Sequence, residues 1–157
     1  RMPGKVSRKT ALQFIEKHSE WIIDKWLLAE ARRRAEEIRG PKDYETDPEV
    51  KHAYREAARA KLSERTAFFA GCMGVSWNRI FIKETKTRWG SCSQAGNLNF
   101  NWKLILMPPE ILDYVVVHEL AHRKEMNHSP RFWAEVAAVL PDYRERRRWL
   151  KEHGREY

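Results

Sequence analysis

Cysteine is scarce, with only Cys72 and Cys92 in 157 residues. Two thiols cannot build the disulfide framework of a small secreted domain, and they favour a reducing, cytoplasmic setting. No run approaches the roughly 20 apolar residues of a membrane helix, so no membrane partner is expected. No secretory signal opens the chain. Internal repeats and low-complexity segments are lacking as well. The first residue is Arg1 rather than Met, so the chain is expected to be a trimmed piece lacking an N-terminal region. Acids are nearly missing from one stretch: residues 66–107 carry five basic side chains and a single acid.

What is present points to one compact domain over 1–157. Hydrophobic residues make up 42% and there are seven Trp, which excludes a disordered tail. The net charge of +8 suggests an anionic partner, a nucleotide or nucleic acid meeting a basic surface. The charge is unevenly spread. Residues 108–140 hold three basic and five acidic side chains, and this acidic stretch also holds the chemistry.

The chain order is helices, a small sheet, then helices, an α+β layout. Residues 1–70 form the helical N-terminal part. A first helix is expected over 7–39, with Leu12, Ile15, Trp21, Ile22, Trp26 and Leu27 at helical spacing. Arg32-Arg33-Arg34 lies on it and reads as a solvated face. Asp47-Pro48-Glu49 caps and starts a second helix to about Phe69. The sheet spans 79–106. Arg79–Lys83 is a short β-branched strand. Leu98, Phe100, Trp102, Leu104 and Leu106 alternate with other residues, the period of a strand with one apolar face. Gln94-Ala95-Gly96-Asn97 reads as the turn before it, and 86–93 supplies the opposing strand. The sheet is expected to be mainly antiparallel. Residues 108–153 then form three helices: from Pro108-Pro109 to about Lys124, from Ser129-Pro130 to about Leu140, and from Pro141 to about His153.

Residues 118–122 read His-Glu-Leu-Ala-His. Four residues on a helix place His118 and His122 on one face, one turn apart, where two imidazoles can bind one zinc ion. Glu119 is placed to act on a zinc-bound water as general base without ligating the metal. A third ligand is needed. His128 is a candidate if the helix stops after His122 and the chain turns back. Asn127 suits the left-handed end of a helix, and Ser129-Pro130 starts the next one. A later carboxylate such as Glu135 is the alternative. Three imidazoles suit zinc and not magnesium.

His-Glu-Leu-Ala-His, five residues, then His-Ser-Pro-Arg-Phe-Trp resembles the YgjP-like metallopeptidase domain family, which is related to the SprT and WLM groups of zincin-like metalloproteases. Thr87-Arg88-Trp89-Gly90-Ser91-Cys92-Ser93 and Gly96-Asn97-Leu98-Asn99-Phe100-Asn101 extend the resemblance, which covers about 79–150. Ser7 to Ile22 also resembles the family's first helix, and members carry strands before it. The resemblance implies a zincin-like fold with one zinc per chain. It makes His118, His122 and His128 the ligands and Glu119 the catalytic carboxylate. The histidine spacing also matches metzincins, but their Gly three residues after the second His is Glu125 here. The implied function is a zinc metallopeptidase acting on peptide or protein substrates. A metal-dependent nucleotide pyrophosphatase or phosphoester hydrolase is the alternative. A DNA-associated protease is a further one.

Around this centre, Trp89, Ser91 and Asn101 are candidate cleft residues, with Asn99 on the same polar strand face. Gly90 reads as serving a bend. Cys92 as a fourth ligand would close the site. Cys72 reads as a small buried hydrophobe. Phe132 and Trp133 read as packing behind the motif helix, and Tyr143 or His153 as candidate oxyanion partners. A substrate strand is expected to add to a sheet edge at 88–93 or 98–102.

Overall fold

Asp47 stops the preceding chain in an extended conformation and accepts hydrogen bonds from the backbone N–H groups of Glu49 and Val50, while Pro48 occupies the first turn. Helix α1 follows, Pro48–Met73, and ends at Gly74, whose φ of 64° is the left-handed conformation of a helix stop. Leu62, Thr66, Phe69, Ala70 and Met73 recur at three- and four-residue spacing and form its buried stripe. The computed structural model describes residues 42–157 together with Ser19, Ile23, Trp26 and Glu30. Those four isolated residues are helical. The rest of the helix expected over 7–39, with Arg32-Arg33-Arg34 and the Ser7-to-Ile22 resemblance, lies outside the described residues. The chain divides into two compact units, Arg1–Thr46 and Asp47–Tyr157. In the first, Asp43–Thr46 forms a single helical turn. The rest of the fold concerns the second.

Three short strands follow α1: β1 (Ile80–Lys83), β2 (Gly90–Cys92) and β3 (Leu98–Asn101). β3 is central, with the order β1-β3-β2. β2 and β3 are an antiparallel hairpin, closed by Ser93 and by Gly96 at φ 79°. β1 runs parallel to β3. The sheet is therefore mixed and not mainly antiparallel. The intervening 84–97 segment is long enough for the return that a parallel pair requires, and it contains β2 on the way.

The alternation over 98–106 is strand only as far as Asn101. Trp102–Leu106 is a 3₁₀ helix. The Asn101 side chain accepts a bond from the Lys103 N–H, which turns the chain out of the ladder. Trp102 and Leu104 remain wholly buried, so the pattern of burial continues while the backbone changes.

Helix α2, Pro109–Ala121, runs through the centre. Leu112, Val115, Val116, Val117 and Leu120 are all buried, as befits a helix covered on most sides. It packs against α1, β2 and both C-terminal helices, α3 (Pro130–Val139) and α4 (Tyr143–His153). Arg65 on α1 grips Asp113 on α2 with two bonds of 2.7 and 2.8 Å. No helix among the described residues is long and apolar enough to cross a membrane.

Candidate metal centre

α2 ends one residue before its second motif histidine. His122 occupies the cap, and the N–H groups of Arg123, Lys124 and Glu125 bond back to Leu120 and Ala121. The chain then reverses. Asn127 does not take the left-handed conformation expected of it, since no described residue other than glycine has positive φ. Successive short-range backbone bonds make the turn instead, ending with Ser129 N–H to the Asn127 carbonyl. Ser129 then caps α3, its hydroxyl accepting from Phe132 N–H.

This reversal brings His128 to the other two imidazoles. One nitrogen from each of His118, His122 and His128 lies within 4.8 Å of the others. The Nε2 atoms of His118 and His128 are 3.0 Å apart. His122 Nδ1 lies 3.1 Å from the Glu125 carbonyl, so it carries the proton and leaves Nε2 free. Phe132 is the floor of the triangle. It is wholly buried, and its ring centre lies 4.6–4.9 Å from all three imidazoles. Trp133 stacks on His128 and on Tyr143. Burial, reinforced by the other two histidines, pushes His118 down to about 3. Burial likewise lowers His122. Both rings therefore stay neutral, with lone pairs to offer.

Glu119 is the one charged side chain buried among the described residues. Its Oε2 has no hydrogen-bond partner, and burial pushes its carboxyl up to about 8. It lies across the α carbon of Gly90. A methyl group there would sit 2.5 Å from Glu119 Oε1 and 2.7 Å from its Cγ. Gly90 is thus the space that Glu119 fills. Its role as a mere bend in the strand misses this, because the contact joins residues far apart in the chain.

Trp89, Ser91 and Asn101 line one cavity, of about 460 Å³, on the polar face of the sheet with Lys83 and Asn99. Asn101 is spent on the fold: it is buried, and its amide donates to the Thr85 carbonyl. Ser91 takes a bond from Asn99. Glu135 pairs with Lys124 at 2.7 Å and stands apart from the triangle. Cys92 is also apart. Its thiol, raised by burial, contacts the Ser93 carbonyl. Cys72 is exposed and not the buried hydrophobe expected. Tyr143 is buried under Trp133, and His153 pairs with Glu156.

One residue that motif reasoning passes over is Arg123. Its guanidinium donates to the carbonyls of Ser76 and Gln94 and lies over Gly96. It ties the start of the reversing loop to the hairpin turn and to the segment after α1. Its position next to His122 is the only signal of this in the chain itself.

A central helix laid over a small sheet is a fold shared with solved metallopeptidase structures. The zymogen of Pyrococcus abyssi abylysin aligns with a TM-score of 0.54 and 24% identity, covering 60% of this chain and 96% of that one. The zymogen of Methanocaldococcus jannaschii jannalysin aligns with a TM-score of 0.51 and 21% identity, covering 58% and 94%. At these identities the likeness is one of fold. The family is given by sequence: residues 41–153 match the YgjP-like metallopeptidase domain, and the chain belongs to that family. No curated protein matches it.

Proposed function

We propose that this chain is a zinc-dependent peptidase in which His118, His122 and His128 hold the ion and Glu119 is the general base. The observation that carries the reading is the convergence of three ring nitrogens within 4.8 Å beside a buried, unpartnered carboxylate. The donor set fits. Imidazoles of intermediate softness suit zinc far better than a hard cation, and three of them leave a position open. Bound there, zinc supplies Lewis-acid polarisation and makes water acidic enough to serve as a nucleophile near neutral pH.

The residues do the rest. His118 and His122 arrive neutral, so no proton has to leave before they ligate. Phe132 fixes the planes of all three rings from below. Without an ion, burial favours the neutral acid form of Glu119. With an ion held by the three histidines, Glu119 would favour its carboxylate form and could serve as the base. Glu119 then takes a proton from the attacking water and returns it to the departing amine. Gly90 sets where that carboxylate stands. β2 is an edge of the sheet among the described residues, and its free side offers backbone groups to an extended substrate. An edge at 98–102 is excluded because β3 is central.

Glu119→Gln is the direct test. It removes the base and keeps the size, so zinc content should stay near one per chain. Casein hydrolysis should fall by about 10²–10⁴-fold, the usual worth of a positioned acid–base group. Unchanged turnover would remove Glu119 from the mechanism. If UTP is hydrolysed in a Glu119-dependent way and casein is untouched, the chain is a nucleotide pyrophosphatase instead.

A further inference from the structure

A larger cavity, about 890 Å³, lies between the 84–89 segment and the end of α4. Its charged lining is almost of one sign: Lys86, Arg88, Lys103, Lys151 and Arg155 against Glu84. Glu84 is already neutralised by Lys51 at 2.8 Å. Lys103 donates to the main-chain oxygen of Tyr157. Lys86, Arg88, Lys151 and Arg155 pair with no carboxylate among the described residues. Like charges gathered around a concavity repel one another, and the field they focus favours an anionic occupant.

The cavity also borders the groove on the polar face of the sheet. The two share Thr85, Thr87, Arg88, Trp89 and Asn101, and the smaller one goes on to Gly90 and Ser91. Gly90 is the residue against which Glu119 packs. A chain paired with the free edge of β2 at Gly90 and continuing past Trp89 would reach the 86–88 wall of this basic chamber. The cations stand on two facing walls, one from 86–88 and one from 151–155. That arrangement suits separate carboxylates on an extended chain better than a continuous phosphate backbone tracking an open stripe.

We propose that this chamber is a specificity subsite for acidic side chains of a peptide substrate, a few residues from the bond that is cut. The occupant rests on the peptidase reading above; the anion preference does not. The full-length Glu119→Gln protein, loaded with zinc, allows binding to be read without turnover. Its partners are fluorescein-labelled decapeptides that are identical except for Asp and Glu, Asn and Gln, or Lys at one end. The acidic peptide should bind roughly tenfold more tightly than the neutral one and weaken as salt rises. Adding Lys151→Gln/Arg155→Gln should bring the two affinities together, and so should Lys86→Gln/Arg88→Gln on the facing wall. All four side chains are exposed, and matching urea midpoints would show that the fold is intact. Equal affinity for all three peptides, or a preference that survives both double variants, overturns the subsite. A single-stranded oligonucleotide that binds more tightly than the acidic peptide, through the same four cations, overturns the peptide assignment. Acidic-peptide binding without cleavage by the wild-type protein supports the subsite and sinks the peptidase reading. Cleavage with no charge preference does the reverse.

Discussion

On the helical side of the site, His118, His122 and His128 meet because a helix has a fixed pitch and ends at a defined cap. On the sheet side, β2 contributes a glycine with no side chain, and the hairpin turn contributes the Gln94 carbonyl that accepts from Arg123. One wall acts through the groups it carries, the other through the room it leaves and the backbone it exposes. The difference separates chemistry from placement. The proposed ligands and base sit on α2 and the turn after it, while the sheet decides where Glu119 stands.

The comparison is broken most severely on the helical wall. His128→Ala removes the proposed ligand that lies beyond the α2 cap, and it is exposed, so the fold should survive. Zinc measured by atomic absorption after dialysis should fall from about one per chain to well below, and peptide hydrolysis should disappear with it. Full zinc retention would make His128 an ordinary loop residue. A chelator added to the wild-type protein should reproduce the loss of activity, and restored zinc should reverse it.

A single methyl group on the sheet wall tests the other half. Gly90→Ala places a carbon within 2.8 Å of Glu119 Oε1, Cγ and Cδ, so the carboxylate has to move. The atoms nearest an added Gly90 Cβ all belong to Glu119 and none to an imidazole, so zinc should remain. Displacing a catalytic group by about 1 Å costs up to about a hundredfold, so kcat should fall by roughly tenfold to a hundredfold with KM little changed. A fall in zinc content equal to the fall in kcat would show instead that the two walls are one structural unit.

The same division explains what the chain discloses before it is folded. His118, Glu119 and His122 are legible because the helical repeat alone relates them. His128 is legible because Ser129-Pro130 announces a new helix directly after it. The alternation at 98–106 misleads, because Trp102 and Leu104 are buried on a 3₁₀ turn as fully as they would be on a strand. Only Asn101, capping Lys103, marks the change. Gly90 could not be read as the seat of Glu119, since the contact joins residues 29 apart and consists of an empty volume. The parallel pairing of β1 with β3 is equally non-local.

Arg123 is the strap between the walls, and its removal gives the smallest and most discriminating effect. The side chain satisfies the Ser76 and Gln94 carbonyls at 2.9 and 3.0 Å, from a partly exposed position where water can replace it. Arg123→Ala should therefore cost only about 1–2 kcal/mol in urea unfolding, the net worth of hydrogen bonds from a charged donor discounted for exposure. Its further consequence is local. The loop 123–127 carries His128, and loosening its first residue widens the range of positions that His128 samples. Zinc affinity should weaken by a few fold while Glu119, seated on Gly90, is untouched, so kcat at saturating zinc should stay close to that of the parent. Arg123→Lys keeps the charge but cannot place two N–H groups on two carbonyls at once, and it should resemble the alanine variant more than the wild type. If the lysine variant behaves as wild type, charge rather than forked hydrogen bonding holds the loop, and the hairpin turn has no part in presenting the third ligand.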